Sequence, residues 1–499
     1  ATGVDAWIAL RYAIATATCD HRDFFLFPVG VACRATHFPN PLSSEINAML
    51  TLIVVVFVLG YLAIALEHPL GINKAASAIF IGIVCWTLYA LDAESLVKLD
   101  GIPSWFTAEL PVEEAAHAQR IYLVEEQLLK LTGEIAGILF FLMGAMTIVE
   151  LADANEGFAV ITNRVKTKST AKLLWIVGFL AFFLSAILDN LTTTIVLISL
   201  LRKLVHDKEK RLMFAGFVVI AANAGGAWTV IGDVTTTMLW IKHKITTIEV
   251  MKELFFPSLV CLIVPVVLLS RKLSGELEAA PEEKAGNEIE ISLGHQLLFL
   301  FLGIAGLISV PIFKAITHLP PFMGMTLALG TIWIISELFS RTLEPAVRSS
   351  TGVLAALKKV DMSSILFFLG ILLAVGSLAA TGLLGELAHW LDGAVGNSTL
   401  IAFFIGLASA VVDNVPLVAA GIEMYPLTQF PVDDHFWFEL AYCAGTGGSC
   451  LIIGSAAGVA AMGLENINFV WYLKKIAPYA LAGYVAGFLA FIGQTWIFG

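Results

Sequence analysis

The chain of 499 residues is 58% hydrophobic and only 14% charged, and its mean hydropathy is +0.86. Soluble domains carry about 25% charged residues, so this composition excludes an ordinary soluble fold and points to a polytopic membrane protein. A net charge of −11 without any Lys/Arg-rich block points away from nucleic acid, and the six cysteines show no CxxC or metal-ligand spacing and read as buried thiols.

Residues 1–45 begin at Ala1 without an initiator Met, and their apolar stretch at 24–33 is too short and Pro-broken to span a bilayer. An expression remnant, a processed leader or a peripheral segment would all fit them, and they stay unplaced. Apolar runs long enough to cross about 30 Å of hydrocarbon follow at 48–66, 75–91 and 135–151. Between the first two, EHPLGINK forms a turn. The polar stretch 92–133, with Glu113, Glu114, Glu125 and Glu126, reads as a solvated helix face. A basic loop with Arg164, Lys166, Lys168 and Lys172 leads into the run 173–201, which surrounds Asp189. A second broken run, 212–241, contains AANAGGAWTVIGDVTTT, and a span at 254–270 closes the first half.

The charged segment 271–293, containing SGELEAAPEEKAGNE, is the best boundary in the chain and is expected to be a cytoplasmic linker. It separates a first transporter repeat at 46–270 from a second at 294–499. In the second, spans are expected at 297–313, 323–339 and 363–380. Broken runs follow at 400–424, around Asp413, and at 438–462, containing AGTGGSCLIIGSAAG. A last span covers 476–491.

The halves align residue by residue. SAILDNL carries Asp189-Asn190, and SAVVDNV repeats the pair 224 residues later as Asp413-Asn414. ILFFL occurs at 138–142 and at 365–369, each preceded four residues earlier by an acid, Glu134 and Asp361. Gly225-Gly226 aligns with Gly447-Gly448, and Asp233 with Ser455. The chain therefore reads as a duplicated transporter half of about 225 residues.

Lysine and arginine give the orientation. Basic residues flank both ends of the Asp189 run, while acids flank the Asp413 run, which favours two re-entrant hairpins entering from opposite sides. Each half then has five crossings, an odd number, so the second must be inverted. The expected fold is all-α, with two inverted-topology repeats of about five transmembrane helices plus one re-entrant hairpin each. This topology places 19 of the 29 Lys and Arg inside and seven outside, Lys242 and Lys244 among the latter.

A carboxylate at membrane depth costs several kcal/mol unless it is paired or lines a wet cavity, so it marks an ion or proton pathway. Asp189 and Asp413 read as helix-interior acids of this kind. Breaks expected at 223–226 and 445–449 free backbone carbonyls for a cation and amides for an anion, so geometry alone admits either charge. The side chains favour a cation. Asp189, Asp233, Asp413, Glu134 and Asp361 lie in or at the edge of apolar runs, whereas no Lys or Arg sits in the middle of one. Carboxylates with Asn and Thr oxygens suit a hard cation, and a proton competing for the same acid is by itself an exchange mechanism. Glu134 and Asp361 could equally be helix-start acids. The threonine runs could be bonded back to helix carbonyls. His117 and His243 could be pH sensors or surface residues without a role.

SAILDNLTTT, NAGGAWTVIGDVTT, SAVVDNVPL, GTGGSCLIIGSAAG and the earlier LGINKAASA together resemble the NhaD-type sodium/proton antiporters of the ion-transporter superfamily, over residues 46–495. The resemblance implies exchange of cytoplasmic Na⁺ or Li⁺ for H⁺ across a cell (inner) membrane, by a homodimer whose scaffold holds a moving, elevator-like transport domain. It implies no enzyme activity and no cofactor beyond the transported ion. Carried over by motif, the binding positions are Ser185, Asp189, Asn190, Asn223, Asp233, Thr235 and Thr236 in the first half. Ser409, Asp413, Asn414, Thr446, Ser449 and Ser455 follow in the second, with Na⁺ at Asp189, Asn190, Asp413 and Asn414. Glu134 and Asp361 would serve a proton pathway or regulation. A family histidine near the third span has no match here, where Gln127 and Leu128 stand. The rivals are an anion carrier of the same superfamily for a dicarboxylate or oxyanion, an intramembrane hydrolase with two aspartates, and a passive channel. The hydrolase is disfavoured because no HExxH or nucleophile-elbow motif accompanies the acids.

Overall fold

In the computed structural model, every apolar run in the described part of the chain is helical. With no water at that depth, a backbone must satisfy its own polar groups. Residues 48–97, 102–104, 106, 117–165, 167–273, 275–276, 291–341 and 345–498 are described. The unplaced segment 1–45, Glu113, Glu114, Lys166 and most of the 271–293 linker lie outside them. Among the described residues no β-strand occurs beyond one isolated bridge, Ser169 with Glu276. Among the described residues nine helices are long and apolar enough to cross a membrane, or ten if one sharply bent pair counts as a span.

The first half contributes α1 (Ala48–Ala65), α2 (Lys74–Leu91), α3 (Leu129–Ala154), α4 (Thr170–Leu188), α5 (Asn190–Leu204), α6 (Lys208–Gly226), α7 (Val234–Ile241) and α8 (Thr247–Lys272). The second contributes α9 (Leu293–Thr317), α10 (Pro321–Ser340), α11 (Met362–Ala380), α12 (Leu383–Val395) and α13 (Ser398–Ser409). It ends with α14 (Asn414–Met424), α15 (His435–Gly447), α16 (Ala456–Glu465), α17 (Phe469–Lys475) and α18 (Ala477–Phe498). Helix α12 was not expected. It carries Glu386, His389 and Asp392, so it lacks a continuous apolar run, and it meets α13 at a bend of 113°.

The helices pack as two groups. Helices α1, α2, α3, α9, α10 and α11 contact mainly one another and form an outer frame. Helices α4 to α8 with α13 to α16 and α18 form an inner group. Burial follows this division. Every residue from Met213 to Gly226 of α6 is buried, as is every residue from Phe436 to Gly447 of α15. By contrast α1 exposes Leu52, Val55, Leu59 and Leu62, and α9 and α10 expose Phe301, Ile316 and Ile334, as lipid-facing helices do. The described cysteines, Cys85, Cys261, Cys443 and Cys450, are buried free thiols, as expected.

Charge is used sparingly to fasten the inner group. Glu465, buried at the end of α16, accepts from Arg202 Nε at 2.7 Å and Arg211 Nε at 2.8 Å, joining α5, α6 and α16 at one face. In the connection after α7, Lys244 Nζ donates to the Tyr425 carbonyl at 2.8 Å and lies 4.2 Å from the Trp437 ring centre.

Candidate ion site

Four helices of the inner group stop inside the apolar layer, and each is restarted by a capping side chain. Helices α4, α6, α13 and α15 end at Leu188, Gly226, Ser409 and Gly447. The partner helices start under Asp189, Asp233, Asp413 and Ser455 as N-caps. Asp189 accepts from the Thr192 amide at 2.8 Å and its hydroxyl at 3.0 Å. Asp233 Oδ1 accepts from the Thr235 amide and hydroxyl, both at 2.8 Å. Asp413 Oδ1 accepts from the Val415 amide at 3.2 Å, and Ser455 Oγ from the Gly458 amide at 3.2 Å. This corrects two expectations. Asp189 and Asp413 are not inside a helix but cap one, where the positive helix end favours an anion. The breaks also begin later than expected, because α6 and α15 stay helical through Gly226 and Gly447.

Side chains from two of the other starts, Asn190 and Asn414, converge on Asp233, which is 2% exposed. Asn190 Nδ2 donates to Asp233 Oδ2 at 2.5 Å and to Asn223 Oδ1 at 3.0 Å. From the other half, Asn414 Nδ2 lies 3.4 Å from both Asp233 carboxylate oxygens. Asn223 Nδ2 in turn donates to Ser449 Oγ and Ser455 Oγ, each at 2.9 Å. Thr236 Oγ1 donates to the Asp233 carbonyl at 2.9 Å. The donors around Asp233 are thus neutral amides and hydroxyls, which leave its charge uncompensated by a contacting cation. Each amide also carries an oxygen, so the same shell can turn from bonding a bare carboxylate to ligating a hard cation. Among the described residues no three of His, Cys, Asp and Glu gather around one point. A cation here would therefore be held by one or two carboxylates with Asn, Ser and Thr oxygens.

Other expected site residues do different work. Ser185 Oγ donates to the Ala222 carbonyl at 2.6 Å, and Ser409 Oγ donates to the Ala444 carbonyl at 2.8 Å. The same staple thus recurs in both halves. Thr446 bonds back to the Tyr442 carbonyl at 2.6 Å and Thr236 to the Asp233 carbonyl at 2.9 Å, the alternative left open for the threonines, whereas Thr192 and Thr235 bond to the carboxylates of Asp189 and Asp233. Close backbone contact completes each half: a Cβ at Gly225 would collide with the Phe182 carbonyl, and one at Gly447 with the Gly406 carbonyl. Gly447→Ala should therefore cost at least the ~1–3 kcal/mol of an overpacked core, because main chain rather than a side chain must yield. A melting curve unchanged from the parent would contradict this.

Asp189 has φ 87° and ψ 161°. Only glycine occupies that region freely, and other residues store about 1–3 kcal/mol there. Asp189→Gly is expected to keep or raise the melting temperature, since Gly is only a few tenths of a kcal/mol poorer as a cap. Thermal melts run beside an ion-exchange assay would check whether stability and function part company at this residue.

One cavity reaches the acids and a larger one adjoins it. A chamber of about 50 Å³ is lined by Asp189, Asn190, Asp233 and Thr237, enough room for an ion or a few waters. A vestibule of about 570 Å³ is lined by Glu67, Lys74, Glu150, Thr192, Lys359 and Asp361. The two share Met146, Leu191, Ser364 and Ala456 as walls.

Asp413 Oδ2 pairs with Lys74 Nζ at 2.8 Å, with side chains 8% and 17% exposed. The sequence reading missed this basic residue because it starts a helix rather than interrupting one. Asp361 caps α11, accepting from Ser364 N at 3.2 Å and Oγ at 2.5 Å, so the helix-start alternative holds for it. For Glu134 that alternative fails. It lies inside α3 and pairs with Lys242, which also reaches Glu423 at 3.3 Å. Sixteen positions along the same helix separate Glu134 from vestibule residue Glu150, about 24 Å at 1.5 Å per residue. At that far end Lys314 Nζ of α9 also donates to the Trp240 carbonyl of α7 at 3.0 Å. His243 lies there too, and burial, with Lys314 adding to it, holds its imidazole below the usual value. Gln127, standing where the family histidine is absent, accepts from the Tyr89 hydroxyl at 3.1 Å.

Residues 40–438 match the family model described as "CitMHS: Citrate transporter". Sodium/proton antiporter 1 of Arabidopsis thaliana is 46% identical over 438 residues, covering 87% of this chain and 71% of that protein. Sodium/proton antiporter 2 of the same plant is 42% identical, covering 87% and 97%. The Na(+)/H(+) antiporter NhaD of Alkalimonas amylolytica is 29% identical, covering 93% of each chain.

Proposed function

The chain belongs to the citrate-transporter family and, within it, to the NhaD-type sodium/proton antiporters, and we propose that it exchanges Na⁺ or Li⁺ for H⁺. Carboxylates at the helix breaks alternately take the cation and the proton, and the inner group moves against the frame to give alternating access. Asp233, Asp189 and Asp413 are the exchanging acids, with Asn190, Asn414, Asn223 and the Thr and Ser oxygens completing the shell. The observation that carries this reading is the convergence of Asn190 and Asn414, one from each half, on Asp233. Two inverted repeats, each with a re-entrant hairpin, a homodimeric elevator and an inner cell membrane complete the proposal. The staples at Ser185 and Ser409 and the matched glycine contacts support the duplication.

The family model's name keeps an anion carrier in view. Against it, the ammonium that reaches the site, Lys74, is already paired with Asp413. The test is reconstitution of the full chain in acid-loaded proteoliposomes containing a pH dye. Na⁺ or Li⁺ should dequench the dye while choline does not, and labelled citrate should not accumulate. Citrate uptake with no cation-driven proton movement would sink the proposal.

A further inference from the structure

We propose that Lys74 is the resident counter-cation of Asp413: its ammonium holds the place at that carboxylate which a transported cation must take, and loading exchanges one for the other. The inference rests on the exchange activity proposed above and adds the residue that competes with sodium inside the protein.

The geometry supports a removable partner. Asp413 Oδ1 is committed to the Val415 amide, so Oδ2 is the oxygen left for a cation, and Lys74 Nζ takes it at 2.8 Å. The lysine is anchored at its root. Its backbone amide donates to Glu67 Oε1 at 3.1 Å, and Asn73 caps the helix it begins. Among the described residues its tip is held by Asp413 and by the Phe367 ring, whose centre is 4.4 Å away. A four-carbon stem with a compact charge can swing without moving the main chain.

Position gives the swing a purpose. Lys74 lines both the large vestibule and a cavity of about 30 Å³ that touches Asp413. An ion entering from the vestibule therefore meets the ammonium before the carboxylate. Glu67 and Asp361 line the same vestibule, so the displaced ammonium has acids to turn to. Lys74 also belongs to the outer frame, through α2, while Asp413 belongs to the inner group, through α14. The pair ties the two groups together for as long as Asp413 carries neither sodium nor proton. An unloaded carrier is thereby held in place, which is what obligatory exchange requires.

The experiment compares Na⁺ binding to the purified full-length protein, and Na⁺/H⁺ exchange in proteoliposomes, for the parent, Lys74→Gln and Lys74→Arg. Lys74→Gln should lower the half-saturating Na⁺ concentration about tenfold, because the internal competitor is gone. Lys74→Arg, which keeps the charge and offers a fork that suits a carboxylate, should leave the half-saturating Na⁺ concentration at or above the parent's. Unchanged or weaker Na⁺ binding in Lys74→Gln would overturn the assignment. Absence of exchange in the parent would instead defeat the underlying function, whatever the variant does. Should Lys74→Gln fail to fold, acetic anhydride labelling of the parent decides: NaCl, but not choline chloride, should raise the reactivity of the Lys74 amine, and equal reactivity in both salts overturns the proposal.

Discussion

Asp233→Asn is expected to reduce Na⁺-driven proton movement to the level of empty liposomes while leaving the protein folded. The substitution preserves shape, and the oxygen accepting from the Thr235 amide and hydroxyl remains available. What changes is the second oxygen. An NH₂ in its place would face the Asn190 amide donor that now lies 2.5 Å from Oδ2, donor against donor, and the negative charge is gone. Truncating one partner of a buried charged contact costs about 2–5 kcal/mol, and at about 3 kcal/mol cation binding falls more than 100-fold. The checks are dye dequenching and Na⁺ titration on purified protein with a parent-like gel-filtration profile. Robust exchange in this variant would remove Asp233 from the centre of the site.

The second large effect separates the two asparagines. Asn190→Ala leaves both Asp233 Oδ2 and Asn223 Oδ1 without the donor they share. Hydrogen bonds to charged groups contribute about 1.5–3 kcal/mol, so a loss of roughly 10- to 150-fold in Na⁺ affinity is expected. Asn414 stands 3.4 Å from both Asp233 oxygens, a weaker contact, and Asn414→Ala should cost several-fold less. Equal effects in the two variants would mean that the halves contribute alike and that the shorter bond from Asn190 has no functional counterpart.

Much of this was legible in the sequence because hydrocarbon depth restricts what a chain can do. Apolar runs had to become helices, and Asp233, Asn190 and Asn414 had to meet because acids and amides at that depth need partners. The repeated motifs were also what raised the duplication proposed above. The roles within the cluster were less legible. Asp233, whose aligned position in the second half is Ser455, received less weight than the duplicated Asp189 and Asp413, yet it collects the amides from both halves. The Lys74–Asp413 pair spans 339 positions and follows no periodicity, so neither helical spacing nor composition announces it. Helix α12 was missed because its charged residues interrupt the apolar pattern. Lys242 and Lys244, two of the basic residues that the expected topology puts outside, are each tied down, one between two acids and the other under a carbonyl and an indole ring.

The fastening far from the vestibule has a consequence of its own. Lys242, Glu134 and Glu423 are 22%, 42% and 33% exposed, so the clasp between frame and inner group is made of wetted charges rather than oil. Its strength depends on the medium, since the screening length shrinks from about 10 Å at 0.1 M salt to about 3 Å at 1 M. Brine loosens it and fresh water tightens it, so the strength of this contact between the two groups follows the salinity of the medium.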